Sequence, residues 1–208
     1  MQQEMDTKQR ILSAATQIFA MKGKAGARVE EIADLAKANK AMIYYYYTSK
    51  DRLYEEVLDT AMGETFGEMA RAAATETDPE EKVRRIINAY VELYIHRQDL
   101  FQLLLREIVN GGETLRKTVL RYRDVFEQQP EILPAQVIQQ GIDAGIFRPL
   151  NPQHTLMSLM GMTIVYALGR PIIDVILGIE DAQLNSFLEE RRHQIADLLL
   201  NGLLVKQE

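Results

Sequence analysis

The stretch "RVEEIADLAKANKAMIYYYY", Arg28–Tyr47, reads as two short helices joined by a turn. Val29, Ile32 and Ala33 recur at the three- and four-residue spacing of one helix face, with Leu35 also apolar. Asn39 stands where a second helix begins, because its side-chain oxygen is suited to accept a hydrogen bond from a backbone N–H just beyond it. Only about three residues of turn separate the two segments. Helices so joined form the helix-turn-helix pattern, whose second helix enters the DNA major groove. The tyrosines Tyr44 to Tyr47 cannot share one environment, since successive helical side chains point about 100° apart.

Working outward, "TKQRILSAATQIFAMKG" (Thr7–Gly23) places Ile11, Ala14, Ala15, Ile18 and Phe19 on one stripe, with Gly23 as the expected helix C-cap. "TSKDRLYEEVLDTAM" (Thr48–Met62) starts a fourth helix, capped by Thr48 or Ser49, with Asp51 suited to its positive end. Further on, Gly and Pro cluster near Thr77 to Pro79, Gly111 to Gly112, Pro130 to Pro134, Gly145 to Pro152 and Gly169 to Pro171, and apolar residues between these breaks keep helical spacing. The fold expected is all-α: a helix-turn-helix domain over 1–55 joined to a larger helical domain over 56–208.

Composition excludes several classes. With 208 residues, 47% hydrophobic and 26% charged, the chain has ordinary globular composition. It has no cysteine, so neither disulfides nor thiol chemistry operate, in keeping with a reducing cytoplasm. Its polar first residues lack the apolar core of a signal peptide. The longest uncharged apolar run, "TLMSLMGMTIVYALG" (Thr155–Gly169), falls short of the ~18–20 residues that a membrane span needs, so no membrane partner is expected. There is no Gly-rich phosphate loop, catalytic triad or metal-ligand spacing, so no catalytic residue, metal or cofactor is expected. The net charge of −6 is unevenly placed: Met1 to Glu55 holds nine Lys and Arg against seven Asp and Glu, whereas the remainder holds 15 against 23. A basic head on an acidic body suits a module that meets phosphates and a domain that does not. A helical interaction protein that binds no DNA is the alternative from another class.

Across Thr7 to Leu58 the chain resembles the DNA-binding domain of TetR-family transcriptional regulators. That resemblance rests on "ILSAATQIFAMKG", "VEEIA", "AKANKAMIYYYY" and "SKDRL", which agree with the family pattern in spacing as well as residue type. It implies a regulator, most members being repressors and some activators, that binds a pseudo-palindromic double-stranded operator as a homodimer and responds to a small-molecule effector. Ile43 and Tyr47, four apart, would pack on the first helix, the Tyr47 hydroxyl reaching water. Asn39, Lys40, Ala41, Met42 and Tyr44 would open the recognition helix toward DNA, with Ala41 permitting close approach and Met42 reading bases by shape or methyl contact. Tyr44 and Tyr45 correspond to phosphate contacts, a phenol being a directional uncharged donor. Tyr46 is assigned to the same surface, with a position between helices as its alternative. Lys50 combines an ammonium with a helix N-terminus aimed at the backbone. Two residues depart from the pattern: Ala27-Arg28 replaces the usual hydroxyl cap and offers Arg28 as a phosphate or groove contact, and Lys37 replaces a turn glycine, at the cost of backbone strain if its φ is positive.

Beyond Leu58 the resemblance extends only to general plan. It implies a dimer interface on the last two strong helices, over Leu156, Met160, Thr163, Ile164 and Ala167 and over Leu184, Leu188, Arg191, Ile195 and Leu198, paired as a four-helix bundle. Tyr90, Tyr94, Phe101, Leu105, Tyr122, Phe126, Met157 and Tyr166 are expected to line an effector cavity for an apolar or aromatic molecule, with His96 and Arg97 near any anionic group.

Overall fold

Helix α1 (Gln2–Gly26) carries the Ile11, Ala15, Ile18 and Phe19 stripe expected of it, buried to 7% exposure or less. Gly23 takes φ 69° and ψ 171° within it, so the regular helix is interrupted at the glycine where its end is expected, and a short further helical stretch runs on to Gly26. Two short helices follow, α2 (Val29–Ala36) and α3 (Lys40–Tyr47), and then the long α4 (Lys50–Ala74). The remaining helices are α5 (Pro79–His96), α6 (Gln98–Val109), α7 (Glu113–Arg121), α8 (Arg123–Gln128), α9 (Pro134–Asp143), α10 (Pro152–Leu177) and, after a 3₁₀ turn at Asp181–Gln183, α11 (Leu184–Leu203). This computed structural model describes residues 2–74, 78–128 and 133–204, and no strand forms among them. The break expected near Pro130 lies outside the described residues.

The chain divides into two compact units that are not consecutive in sequence. The first comprises residues 1–64 and 97–123, so α6 and α7 belong with the helix-turn-helix segment. Its core joins Ile11, Phe19, Ile32, Ile43, Leu53, Leu58 and Leu103, all fully buried, with the Phe19 and Tyr54 rings edge-to-face at 4.9 Å. Burying side chains of this size contributes about 1.5–3 kcal/mol each. Leu35, apolar in sequence, is 47% exposed, and Ala36 takes the buried position one turn after Ile32 and Ala33. A buried polar bridge ties α4, α6 and α7: the Tyr54 hydroxyl donates to Glu107 Oε2 at 2.7 Å, while Glu107 Oε1 accepts the Thr114 N–H at 2.9 Å at the start of α7. Burial and the carboxylate neighbour push the Tyr54 hydroxyl well above its ordinary range.

The second unit, residues 65–96 and 124–208, is built on Val83, Ile86 and Ile87 of α5, Val137 of α9, Leu159 of α10, and Ile195, Leu199 and Leu200 of α11. Here the structure corrects one expectation. The Gly169–Pro171 signal does not end α10, which runs on to Leu177 but bends by 67° between Pro152–Tyr166 and Leu168–Leu177. Pro171 has no N–H to give to the carbonyl four residues back, at Ala167, and its ring crowds that carbonyl, so the helix bends at that point. The last helix starts at Leu184, directly after the 3₁₀ turn at Asp181–Gln183.

Gly141 of α9 shows how close the packing is, because a Cβ added there would lie 2.1 Å from Cδ2 of the buried Phe147 ring. Gly141→Ala is therefore expected to lower stability by about 1–3 kcal/mol, read as a fall in the thermal midpoint by circular dichroism, whereas Gly202→Ala, with open space around it, leaves the midpoint near its starting value.

Candidate nucleic-acid interface

Local chemistry sets the two helices of the turn. At the start of α2, Arg28 has extended backbone and no side-chain cap, and the Glu31 carboxylate accepts its N–H at 3.3 Å instead. Lys37 closes α2 in the left-handed region, φ 50° and ψ 46°, the strained conformation that its missing glycine would have relieved. Its N–H reaches Asp34 O at 3.1 Å and the Ala38 N–H reaches Ala33 O at 2.9 Å, satisfying carbonyls that the helix end leaves open. Asn39 then caps α3 as its sequence implies, Oδ1 accepting the Ala41 N–H at 2.9 Å.

On α3, Ile43 is fully buried and Tyr47 is 5% exposed, so this edge fastens the helix to the core. The Tyr47 hydroxyl does not reach water as expected: it donates to the Lys8 carbonyl of α1 at 3.2 Å, and burial pushes its pKa up to about 12. The opposite edge is open, with Lys40 and Ala41 exposed, Tyr44 43% exposed and Tyr45 72% exposed. Met42 and Tyr46 are half-buried against the core, so Met42 presents only part of its side chain outward. The Tyr46 ring lies between its neighbours, 5.1 Å from Tyr45 and 6.4 Å from Tyr47.

The joint to α4 is a tight one. Thr48 has φ 61° and ψ −38°, and the Ser49 N–H bonds to Tyr47 O at 2.6 Å, the pattern of a γ-turn that β-branched residues adopt only under strain. Ser49 Oγ accepts the Arg52 N–H at 3.1 Å and so caps α4. Lys50, expected to aim at phosphate, gives its ammonium to the Ala27 carbonyl at 3.1 Å, which fixes the segment before α2 to the start of α4. That bond uses one of the three donors of the ammonium. Arg28 is exposed, and Lys40 pairs with Glu30 of α2 while lying 6.0 Å from the Tyr44 ring. That hydrogen bond holds the Glu30 carboxyl below its usual range and the Lys40 ammonium above its own.

The expected effector residues divide between the units. Phe101, Leu105 and Tyr122 lie in the first, where Phe101 is 9% exposed and the Tyr122 hydroxyl donates to Asp59 O at 3.1 Å. Tyr90, Phe126, Met157 and Tyr166 lie in the second, and the Tyr94 side chain lies outside the described residues. Phe126 packs edge-on to Phe66 at 4.7 Å, and burial raises the Tyr90 hydroxyl. Met157, at 63% exposure, faces outward and lines no interior. Tyr166 borders a cleft of about 430 Å³ shared with Val165, Ile173, Leu177, Phe187, Glu190, Arg191 and Gln194. Ile173 and Phe187 carried no signal in the sequence, because they meet only in the fold, Ile173 beyond the bend of α10 and Phe187 on α11. His96 is paired with Glu92 at 2.8 Å, and Arg97 with Glu64 and Asp99.

Of the residues expected to pair two copies, Leu188 and Ile195 are 3% and 0% exposed inside the second unit's own core and cannot offer surface. Leu156 packs partly against that core. Met160, Ile164 and Leu184 are half-buried, the Thr163 hydroxyl donates to Met160 O at 3.0 Å, Arg191 donates to Met162 O at 2.9 Å, and Leu198 is 58% exposed. The Ala167 side chain lies outside the described residues. The open apolar face is instead Val165, Leu168, Ile172, Val175 and Ile176 of α10, between 52% and 80% exposed. Among the described residues no group of acidic, histidine or cysteine side chains is placed to hold a metal, and no single helix is long and apolar enough to cross a membrane.

Residues 11–57 match the family described as bacterial regulatory proteins, tetR family, and residues 76–167 match the tetracyclin repressor-like C-terminal domain. The chain is 28% identical to the HTH-type transcriptional repressor NicS of Pseudomonas putida over 97% of its own length and 94% of that protein's. It is 29% identical to the HTH-type transcriptional repressor SCO4008 of Streptomyces coelicolor over 74% of each. In fold it is similar to a putative transcriptional regulator from Saccharomonospora viridis in complex with choline, with a TM-score of 0.72 and 19% identity, over 95% of this chain and 97% of that one.

Tyr47→Phe keeps the buried ring and deletes the tie to Lys8. It is expected to lower stability by about 0.5–1.5 kcal/mol, measured by denaturant unfolding, without changing the helix content.

Proposed function

The chain belongs to the TetR family of transcriptional regulators, ligand-responsive proteins that bind DNA, and from that membership we propose that it represses transcription by occupying an operator as a homodimer. The observation that carries the reading is the division of α3 into two edges. Ile43 and Tyr47 fix the helix to its support, while Lys40, Ala41, Tyr44 and Tyr45 stand open on the other side. Set in a major groove, such a helix brings an ammonium and a small residue to base edges and phenol donors to phosphate oxygens. Arg28, Tyr46 and the remaining donors of Lys50 would add backbone contacts at the flanks. The relatives named as repressors support repression as the outcome.

A pseudo-palindromic operator needs two recognition helices about 34–36 Å apart, hence two copies. The apolar face of α10 supports pairing there, together with Leu198 of α11. The effector would be a small apolar or aromatic molecule, a class suited to the aromatic pairs of the second unit, Phe66 with Phe126 and Tyr166 with Phe187, the latter 4.9 Å apart. Differential affinity of that ligand for the DNA-competent arrangement would release the operator by reciprocal linkage. A cytoplasmic setting fits this role.

The test is titration of the purified chain with duplexes from its own upstream region, followed by fluorescence anisotropy over a salt series. Salt-sensitive, sequence-dependent binding is expected, and binding indifferent to both salt and sequence refutes the proposal. Tyr44→Phe combined with Tyr45→Phe is expected to weaken binding to every duplex by on the order of tenfold while leaving sequence preference unchanged. Val175→Glu, placing a charge on the open face of α10, is expected to shift the chain from dimer to monomer in sedimentation at micromolar concentration, with its helical content retained.

A further inference from the structure

Several cations of the first unit are engaged by carboxylates. Lys22 pairs with Glu31 at 2.6 Å and Lys24 with Asp51 at 3.1 Å, each across two different helices. The Lys40–Glu30 pair is unlike these in position, because it sits on the edge of α3 that also carries Ala41, Tyr44 and Tyr45. Glu30 belongs to the first turn of α2 and Lys40 to the first turn of α3, so the pair spans the helix-turn-helix itself. Both side chains remain accessible, 47% for Lys40 and 59% for Glu30, so a duplex docking on α3 meets the carboxylate as well as the ammonium.

We infer that Glu30 is a specificity-determining residue: its carboxylate holds Lys40 and disfavours capture of that ammonium by phosphate while tolerating its donation to a base edge. This rests on the reading that α3 docks in a DNA groove. An ammonium has three donors, and the pair with Glu30 uses one of them. In a non-operator complex the available acceptors are phosphate oxygens, which are anionic and are repelled by the adjacent carboxylate. At an operator the acceptors are neutral base-edge atoms such as guanine O6 and N7, which share the ammonium with Glu30 without a like-charge encounter. The carboxylate therefore penalises the two complexes unequally, and discrimination arises by weakening the wrong one.

Glu30→Gln tests this in the full chain. The probes are a duplex selected from a randomised pool by the wild-type chain and a scrambled duplex of the same composition. The variant is expected to bind the scrambled duplex several-fold more tightly and the selected duplex within about twofold of wild type, with the salt slope for the scrambled duplex steeper by about one. Equal gains on both duplexes, or no gain on the scrambled one, overturn the inference. In a Lys40→Gln background the effect of Glu30→Gln should vanish, and its persistence would show that Glu30 acts as a general surface charge, which also overturns it. A wild-type chain that selects nothing from the pool sinks the underlying DNA-binding reading, a result separable from any difference between the variants. Matching thermal midpoints of wild type and variant confirm that folded proteins are being compared.

Discussion

The docking of Ile43 and Tyr47 onto α1 and its neighbours is the contact on which the rest of the interface depends. An eight-residue helix is too short to persist alone in water, because the cost of its nucleus is not recovered over so few hydrogen bonds. α3 exists because one of its edges is buried, and the same burial sets which residues are left outside. The hydroxyl of Tyr47 adds a directional element to this apolar fastening, fixing rotation of the helix as well as its distance from α1. Asn39 at one end and the strained Thr48 turn at the other complete the constraint, so every open side chain of α3 inherits its orientation from two buried neighbours.

Much of this was legible in the sequence. Fourfold spacing placed Ile43 and Tyr47 together, and the amide oxygen of Asn39 marked the start of the helix. What escaped was decided by partners distant in the chain. No local pattern says that the Tyr47 phenol finds the Lys8 carbonyl 39 residues away, or that the Lys50 ammonium finds Ala27. The helical stripes of α10 and α11 were read correctly as apolar, but periodicity does not say whether an apolar residue closes its own core or faces a second copy. Leu188 and Ile195 do the former. Pro171 carries the sequence signal of a stop because proline usually ends a helix, yet α10 bends near it and continues to Leu177.

Charge shows a similar division between composition and geometry. The basic head has only a slight excess of cations, and several are tied to carboxylates of the same unit, so its attraction for a polyanion is tempered before any DNA arrives. Exposed pairs of this kind contribute little to folding. Their consequence is for recognition, where the arrangement of a few charges against one groove matters more than their sum.

The bend in α10 constrains what can lie against it. Its two arms diverge by 67°, and most of the open apolar side chains sit on the second arm, beyond the bend. A straight helix laid along one arm must leave the other, so a good cover has to be angular or composite. A second copy related by a two-fold axis meets that requirement without any further design, because it brings a helix with the same angle and lays corresponding surfaces against each other. A single proline in the chain thereby becomes a constraint on the shape of any partner that covers both arms.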